Sequence, residues 1–221
     1  MDITNNIAFF RRRFEGSNCR LVAVTKTHPV EKIIQAYEAG QRIFGENRVQ
    51  EMVAKQPHVP ADAEWHLIGH LQTNKVKLIV PFVSLIHSVD SFKLLEEINK
   101  QAKKIDRVVP CLLQAFIASE ETKFGFDKAE LLELIQSEKI LTLDSVRIVG
   151  LMGMATFTEN KEQVRNEFIG LKTLFDQVKT MNLPPQIEMK ELSMGMSQDY
   201  EIAVEEGSTL VRIGTAIFGG R

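Results

Sequence analysis

A single (β/α)8 TIM barrel over residues 1–221 is the fold this sequence predicts, and three observations carry the prediction. Short apolar runs rich in Val, Ile and Leu alternate with amphipathic stretches along the whole chain. Such unbroken runs mark strands buried on both faces of a parallel sheet. The β/α units number eight and use all 221 residues, close to the lower length limit of this barrel. A doubly wound open sheet, the alternative, is expected to carry G-x-G-x-x-G after its first strand. Here the first strand runs into Thr25-Lys26-Thr27-His28-Pro29, without a glycine.

The elements follow in order. An amphipathic segment opens the chain and ends in the basic run 11–13. Strand one is 21–24 (LVAV), and the spacing of 29–37 predicts a helix stopped by Gly40. Strand two, 42–45, leads to a helix over 47–53; strand three, 65–69, leads to one from about Thr73. Strand four is 85–89, with a helix over 91–103. A long fifth strand over 108–117 is paired with a helix over 128–137. Strand six, 146–152, precedes the longest helix, 161–179. A weaker strand, 187–192, is followed by a helix capped by Ser197 and running through Glu205, with Asp199 and Glu201 in its first turn. Strand eight is 209–213.

Composition excludes several classes. Hydrophobic residues make up 44% and charged residues 25%, ordinary globular values that argue against disorder. Area scaling has folding remove roughly 70% of the chain's surface from water, enough for one well-packed core. The net charge is −2, without the basic excess of a nucleic-acid binder. Cys19 and Cys111 form no C-x-x-C pair, which removes zinc-ribbon and thioredoxin-type sites. The N-terminus places its apolar residues before its arginines, the reverse of a secretory signal. No apolar run reaches the ~20 residues of a membrane span. The expected setting is the cytoplasm, and the expected state a monomer.

Barrel chemistry sits at the carboxyl ends of the strands. Lys26 stands at the lip of the first: desolvation there favours a neutral amine, which can form a Schiff base with an aldehyde. A solvated strand-end lysine is the plainer reading of that residue alone. Arg212 interrupts the apolar run TLVRIG, and a buried guanidinium requires an acceptor. That acceptor is either a core carboxylate or a ligand atom such as a ring nitrogen. Gly214, Gly219 and Gly220 permit close backbone approach after it, and Ser193 offers a hydroxyl near the usual phosphate position of such barrels. His66 and His70 stand four apart, but Leu67 occupies the place of the glutamate in H-E-x-x-H. Four strand residues span ~13 Å, too far for one metal. His87 reads as a hydrogen-bonded core residue, and the arginines at 11–13 as a solvated helix face.

The segments VAVTKTHP, FGENRVQE, WHLIGHLQTNK, HSVDS, GLMGMAT, LSMGMSQDYEIAVEEG and VRIGTAIFGGR, in this order, resemble the YggS/PROSC family of pyridoxal phosphate homeostasis proteins. That family is similar to the N-terminal barrel of alanine racemase, and the likeness runs from Leu21 to Arg221. It implies that Lys26 forms the internal aldimine with pyridoxal 5′-phosphate (PLP) and that Arg212 faces the pyridine nitrogen. Ser193, Gly214 and Thr215 match phosphate-binding positions, and Asn47 lines the cofactor. Met154 and His66 fall on the pocket wall, and Lys123-Phe124-Gly125 matches a K-x-G pattern. An arginine can only donate, so it holds the ring nitrogen unprotonated and weakens the electron sink. Alanine racemase adds a tyrosine from a C-terminal domain for which this chain has no counterpart, and Tyr37 and Tyr200 both lie in helix-like segments. Two readings follow: a carrier that holds or delivers PLP, to PLP-dependent apoenzymes among others, and a weak PLP-dependent racemase using Lys26 alone. The first is preferred.

Overall fold

The structure, a computed structural model, describes residues 2–118 and 124–220. Eight strands, β1 (Arg20–Val24), β2 (Ile43–Glu46), β3 (Glu64–Leu67), β4 (Leu85–Val89), β5 (Val109–Gln114), β6 (Val146–Met152), β7 (Ile187–Met196) and β8 (Leu210–Ile213), form a closed parallel barrel in chain order. Closure comes from β8 pairing with β1, with Val22 beside Arg212. The helices are α1 (Ile3–Arg13), α2 (Val30–Glu38), α3 (Val49–Lys55), α4 (Val76–Ile79), α5 (Phe92–Lys103), α6 (Lys128–Gln136), α7 (Lys161–Lys179), α8 (Tyr200–Glu205) and α9 (Thr215–Phe218). This is the (β/α)8 barrel expected from the sequence.

Local signals explain where the helices start. Asp2, Ser91 and Asn160 each cap a helix by accepting a backbone N–H, and Asp127 with Glu130 makes a reciprocal capping box. Alternation along each strand divides the core in two. Val22, Ile43, Leu85, Leu112, Met152 and Leu210, one from each of six strands, fill the inside of the barrel. Phe44, Leu67, Ile86 and Leu113 belong to the larger cluster shared with the helices, where each such side chain contributes roughly 1.5–3 kcal/mol by burial.

Three expected boundaries move. Strand β5 stops at Gln114 because Ala115 leaves the ladder to bridge Phe126. Strand β7 runs on to Met196 instead of ending at 192. The helix after it starts at Tyr200, with Asp199 and not Ser197 at its cap position; Ser197 lies in the preceding turn. Cys19 and Cys111 are free and buried. Lys123 lies outside the described residues, so its K-x-G match carries no structural reading.

Candidate functional site

A cavity of about 1070 Å3 opens at the carboxyl ends of the strands, at the upper end of the size range of small-molecule sites. Lys26, Asn47, Arg212, Gly214 and Thr215 all line it, so five of the six expected site residues converge there. Met154 lines it as well; His66 does not. The lining residues Ser197 and Asp199 come from the β7–α8 turn. As sequence, that turn reads as the start of a helix capped by Ser197, which hides their role.

Lys26 is held from both sides. The preceding residue, Thr25, donates its hydroxyl to Glu46 at 2.6 Å and accepts at its carbonyl from Lys55 Nζ at 2.8 Å. The following residue, Thr27, has φ +65°, a conformation unfavourable for a β-branched side chain, and its N–H donates to Glu51 at 2.7 Å. Lys55 ties the cluster together, 2.6 Å from Glu46 and 3.2 Å from Glu51. Burial pushes the Glu46 carboxyl up against the bonds from Lys55 and Thr25. Burial acts on Glu51 in the same sense, but the Thr27 N–H and Lys55 outweigh it and hold that carboxyl below its ordinary value. The Lys26 amine itself has no hydrogen-bond or ion-pair partner among the described residues. Opposite, Gly69 lets the chain after β3 cross Asn47 closely: a Cβ there would lie 2.4 Å from the Asn47 carbonyl oxygen.

Arg212 is buried at the cavity floor without a carboxylate in ion-pair contact among the described residues. Its guanidinium donates to the Ser193 carbonyl at 3.0 Å, the Ser193 hydroxyl at 2.6 Å and the Gly153 carbonyl at 3.1 Å. Burial lowers its pKa to about 10, countered by Asp199, so it remains a cation at neutral pH. Ser193, matched to a phosphate-binding position, is wholly buried and does not line the cavity; it reaches the site through Arg212. On the other side Gly214 opens α9, where Ile217 and Phe218 donate back to the Gly214 carbonyl. The Thr215 and Ala216 N–H groups are left without an intrahelical acceptor. Tyr37 and Tyr200 sit on α2 and α8, and neither lines the cavity. His70 pairs with Asp90 at 3.0 Å, away from His66.

An amine unpartnered among the described residues, a buried donor-only cation and open backbone donors on one barrel mouth define a class of protein. The family model described as the N-terminal domain of alanine racemase matches residues 2–221. Within that class the chain belongs to the family of pyridoxal phosphate homeostasis proteins. The pyridoxal phosphate homeostasis protein of Aquifex aeolicus is 43% identical over 212 residues, 95% of this chain and 91% of its own. That of Mus musculus is 39% identical over 213 residues, covering 91% and 77%. Among solved structures, PipY of Synechococcus elongatus with PLP bound superposes with a TM-score of 0.87 at 39% identity, over 98% of this chain and all of its own. Clostridium difficile alanine racemase shares the fold at 13% identity, with a TM-score of 0.76 over 56% of its chain.

Proposed function

We propose that this chain binds pyridoxal 5′-phosphate at the barrel mouth, held as a Schiff base on Lys26, and serves intracellular PLP homeostasis without robust turnover. The observation that carries the reading is the convergence of the Lys26 amine, unpartnered among the described residues, and the buried Arg212 guanidinium on one cavity. The donor set fits the cofactor. Lys26 supplies the amine for an aldehyde, and Arg212 keeps donors for a ring nitrogen. Gly214 and Thr215, with the Ser197 hydroxyl, supply uncharged donors for a phosphate. Asn47 closes the side under β2. When bound, PLP supplies an electron sink, which a donor-only partner at its nitrogen keeps weak. PLP-dependent apoenzymes are the natural recipients of a cofactor held in this way.

The catalytic reading, a weak racemase, has one observation in its favour: His28 and Asp199 line the same cavity as Lys26. One preparation tests both. Protein loaded with PLP is reduced with borohydride and mapped by peptide mass, with Lys26 expected as the labelled lysine and Lys26→Ala expected to stay unlabelled. Label on Lys75 or another lysine, with Lys26 clean, overturns the Schiff-base assignment. The unreduced sample is incubated with L-alanine and followed by chiral chromatography. Formation of the D-enantiomer at about 1 s−1 or faster, within the ordinary enzyme range, would restore the enzyme reading.

A further inference from the structure

Behind Arg212 the barrel interior holds a line of polar side chains that the binding site leaves unexplained. Arg212 Nη1 is 2.6 Å from Ser193 Oγ, which is 2.9 Å from His87 Nδ1. His87 Nε2 is 3.0 Å from His66 Nδ1, and His66 Nε2 is 3.9 Å from the half-exposed carboxylate of Glu64 at the amino end of β3. The line crosses from β8 through β7 and β4 to β3, and Ser193, His87 and His66 are all buried.

The Arg212 end fixes the direction of every link. A guanidinium only donates, so the Ser193 oxygen accepts at that end. The hydroxyl proton of Ser193 then goes to His87 Nδ1, the acceptor within reach among the described residues. A neutral imidazole has a single N–H, so His87 carries it on Nε2 and donates it to His66 Nδ1. That leaves the His66 proton on Nε2, which faces Glu64 at 3.9 Å, beyond hydrogen-bond distance. Burial holds both rings below the ordinary histidine pKa, with Arg20 adding to it at His66 and with His66, Arg212 and Arg20 adding to it at His87, so both are neutral at pH 7.

We propose that Ser193, His87 and His66 form a one-way hydrogen-bonded relay that positions Arg212. The relay fixes the Ser193 lone pair on the guanidinium and so holds the remaining donors of Arg212 in place at the cavity floor. Every proton in it points away from the cavity, so the relay offers the site no proton. The orientation of the relay belongs to the chain alone; what Arg212 meets in the cavity rests on the function proposed above.

The test starts without cofactor. Long-range 1H–15N spectra of protein labelled with 15N-histidine are expected to show His66 and His87 as neutral Nε2–H tautomers. An Nδ1–H tautomer at either ring, or a charged ring, overturns the relay. The guanidinium of Arg212 is then followed by its Nη resonances, which restricted rotation should keep resolved. His87→Leu is expected to merge them, and His87→Asn, whose Oδ1 can accept from Ser193 in place of Nδ1, to restore them. Should His87→Leu fail to fold, Ser193→Ala takes its place beside His87→Asn. Unchanged Nη resonances in the folded variant overturn the positioning role. With PLP added, His87→Leu or its substitute is expected to bind about tenfold more weakly, the scale of one hydrogen bond to a charged group; unchanged affinity overturns the link to the site. A wild type that binds no PLP sinks the function proposed above and leaves the tautomer and Nη results to judge the relay.

Discussion

The residues flanking Lys26 do as much as the lysine. A left-handed Thr27 is disfavoured on its own and persists only where its surroundings over-determine it. Glu51 does this by accepting the Thr27 N–H, while Lys55 anchors the Thr25 carbonyl on the other side. Glu51→Ala should therefore release about 1–3 kcal/mol of strain-holding stability, read by urea unfolding, and slow borohydride trapping of Lys26 in the loaded protein. Adding Thr27→Gly removes the penalty for positive φ and should recover part of the stability but not the trapping. Equal stability of Glu51→Ala and wild type would show that the turn holds itself. Lys26 and Arg212 were legible in the sequence because a cation at the end of, or within, an apolar run demands a reason. Lys55 and Glu51 were not: Glu51 is an ordinary polar position of the expected 47–53 helix and Lys55 falls beyond it, and only the fold turns them toward Thr25 and Thr27.

Among the elements, the strands and helices of the barrel were legible because period and length agree with them, and the misses fall where backbone leaves the regular pattern. The β7 extension is one case. Its last residues, SMGM, lie beyond the expected end at 192 and carry a glycine at φ +93°, a bend that carries the chain to the cavity. A second irregularity sits between β6 and β7, whose register shifts between Ile148 and Gly150. Gly150 has φ +153°, and a Cβ there would lie 1.7 Å from the Glu191 carbonyl oxygen. Backbone cannot yield as a flexible side chain does, so Gly150→Ala should cost about 3 kcal/mol or more. Gly170, exposed in the middle of α7, has no atom within 4 Å of a built Cβ. Gly170→Ala should instead stabilise by about 0.5–1 kcal/mol. Opposite signs for the two variants in denaturant melts are the expected result, and a mild Gly150→Ala would mean that β6 and β7 can re-register.

At the scale of the whole molecule, the two interior histidines couple the barrel's stability to acid. Burial lowers the folded-state pKa of His66 to about 3 and drives that of His87 well below its ordinary value, with His66, Arg212 and Arg20 adding to the shift. In the unfolded chain both rings titrate near 6.5. The unfolded state therefore binds more protons below that pH, and stability falls as pH drops through about 6.5 toward the folded-state values. Between pH 7.5 and 5.5 each histidine contributes a loss of about 1.4 kcal/mol, or about 2.7 kcal/mol for the pair. Glu46 acts in the opposite sense. Burial raises its carboxyl, so it takes up its proton at a higher pH in the folded than in the unfolded chain, and that uptake opposes the fall. Urea melts of the cofactor-free protein at the two pH values should show a lower midpoint at pH 5.5 with an unchanged slope m. His87→Leu should bring the pH-dependent loss down to about half, since one of the two proton-binding sites of the unfolded chain is gone. A midpoint that stays level from pH 7.5 to 5.5 would mean that the interior histidines take up protons in the folded barrel over the same pH range as in the unfolded chain, and that at pH 5.5 Arg212 has a cation, not a neutral ring, at the far side of Ser193.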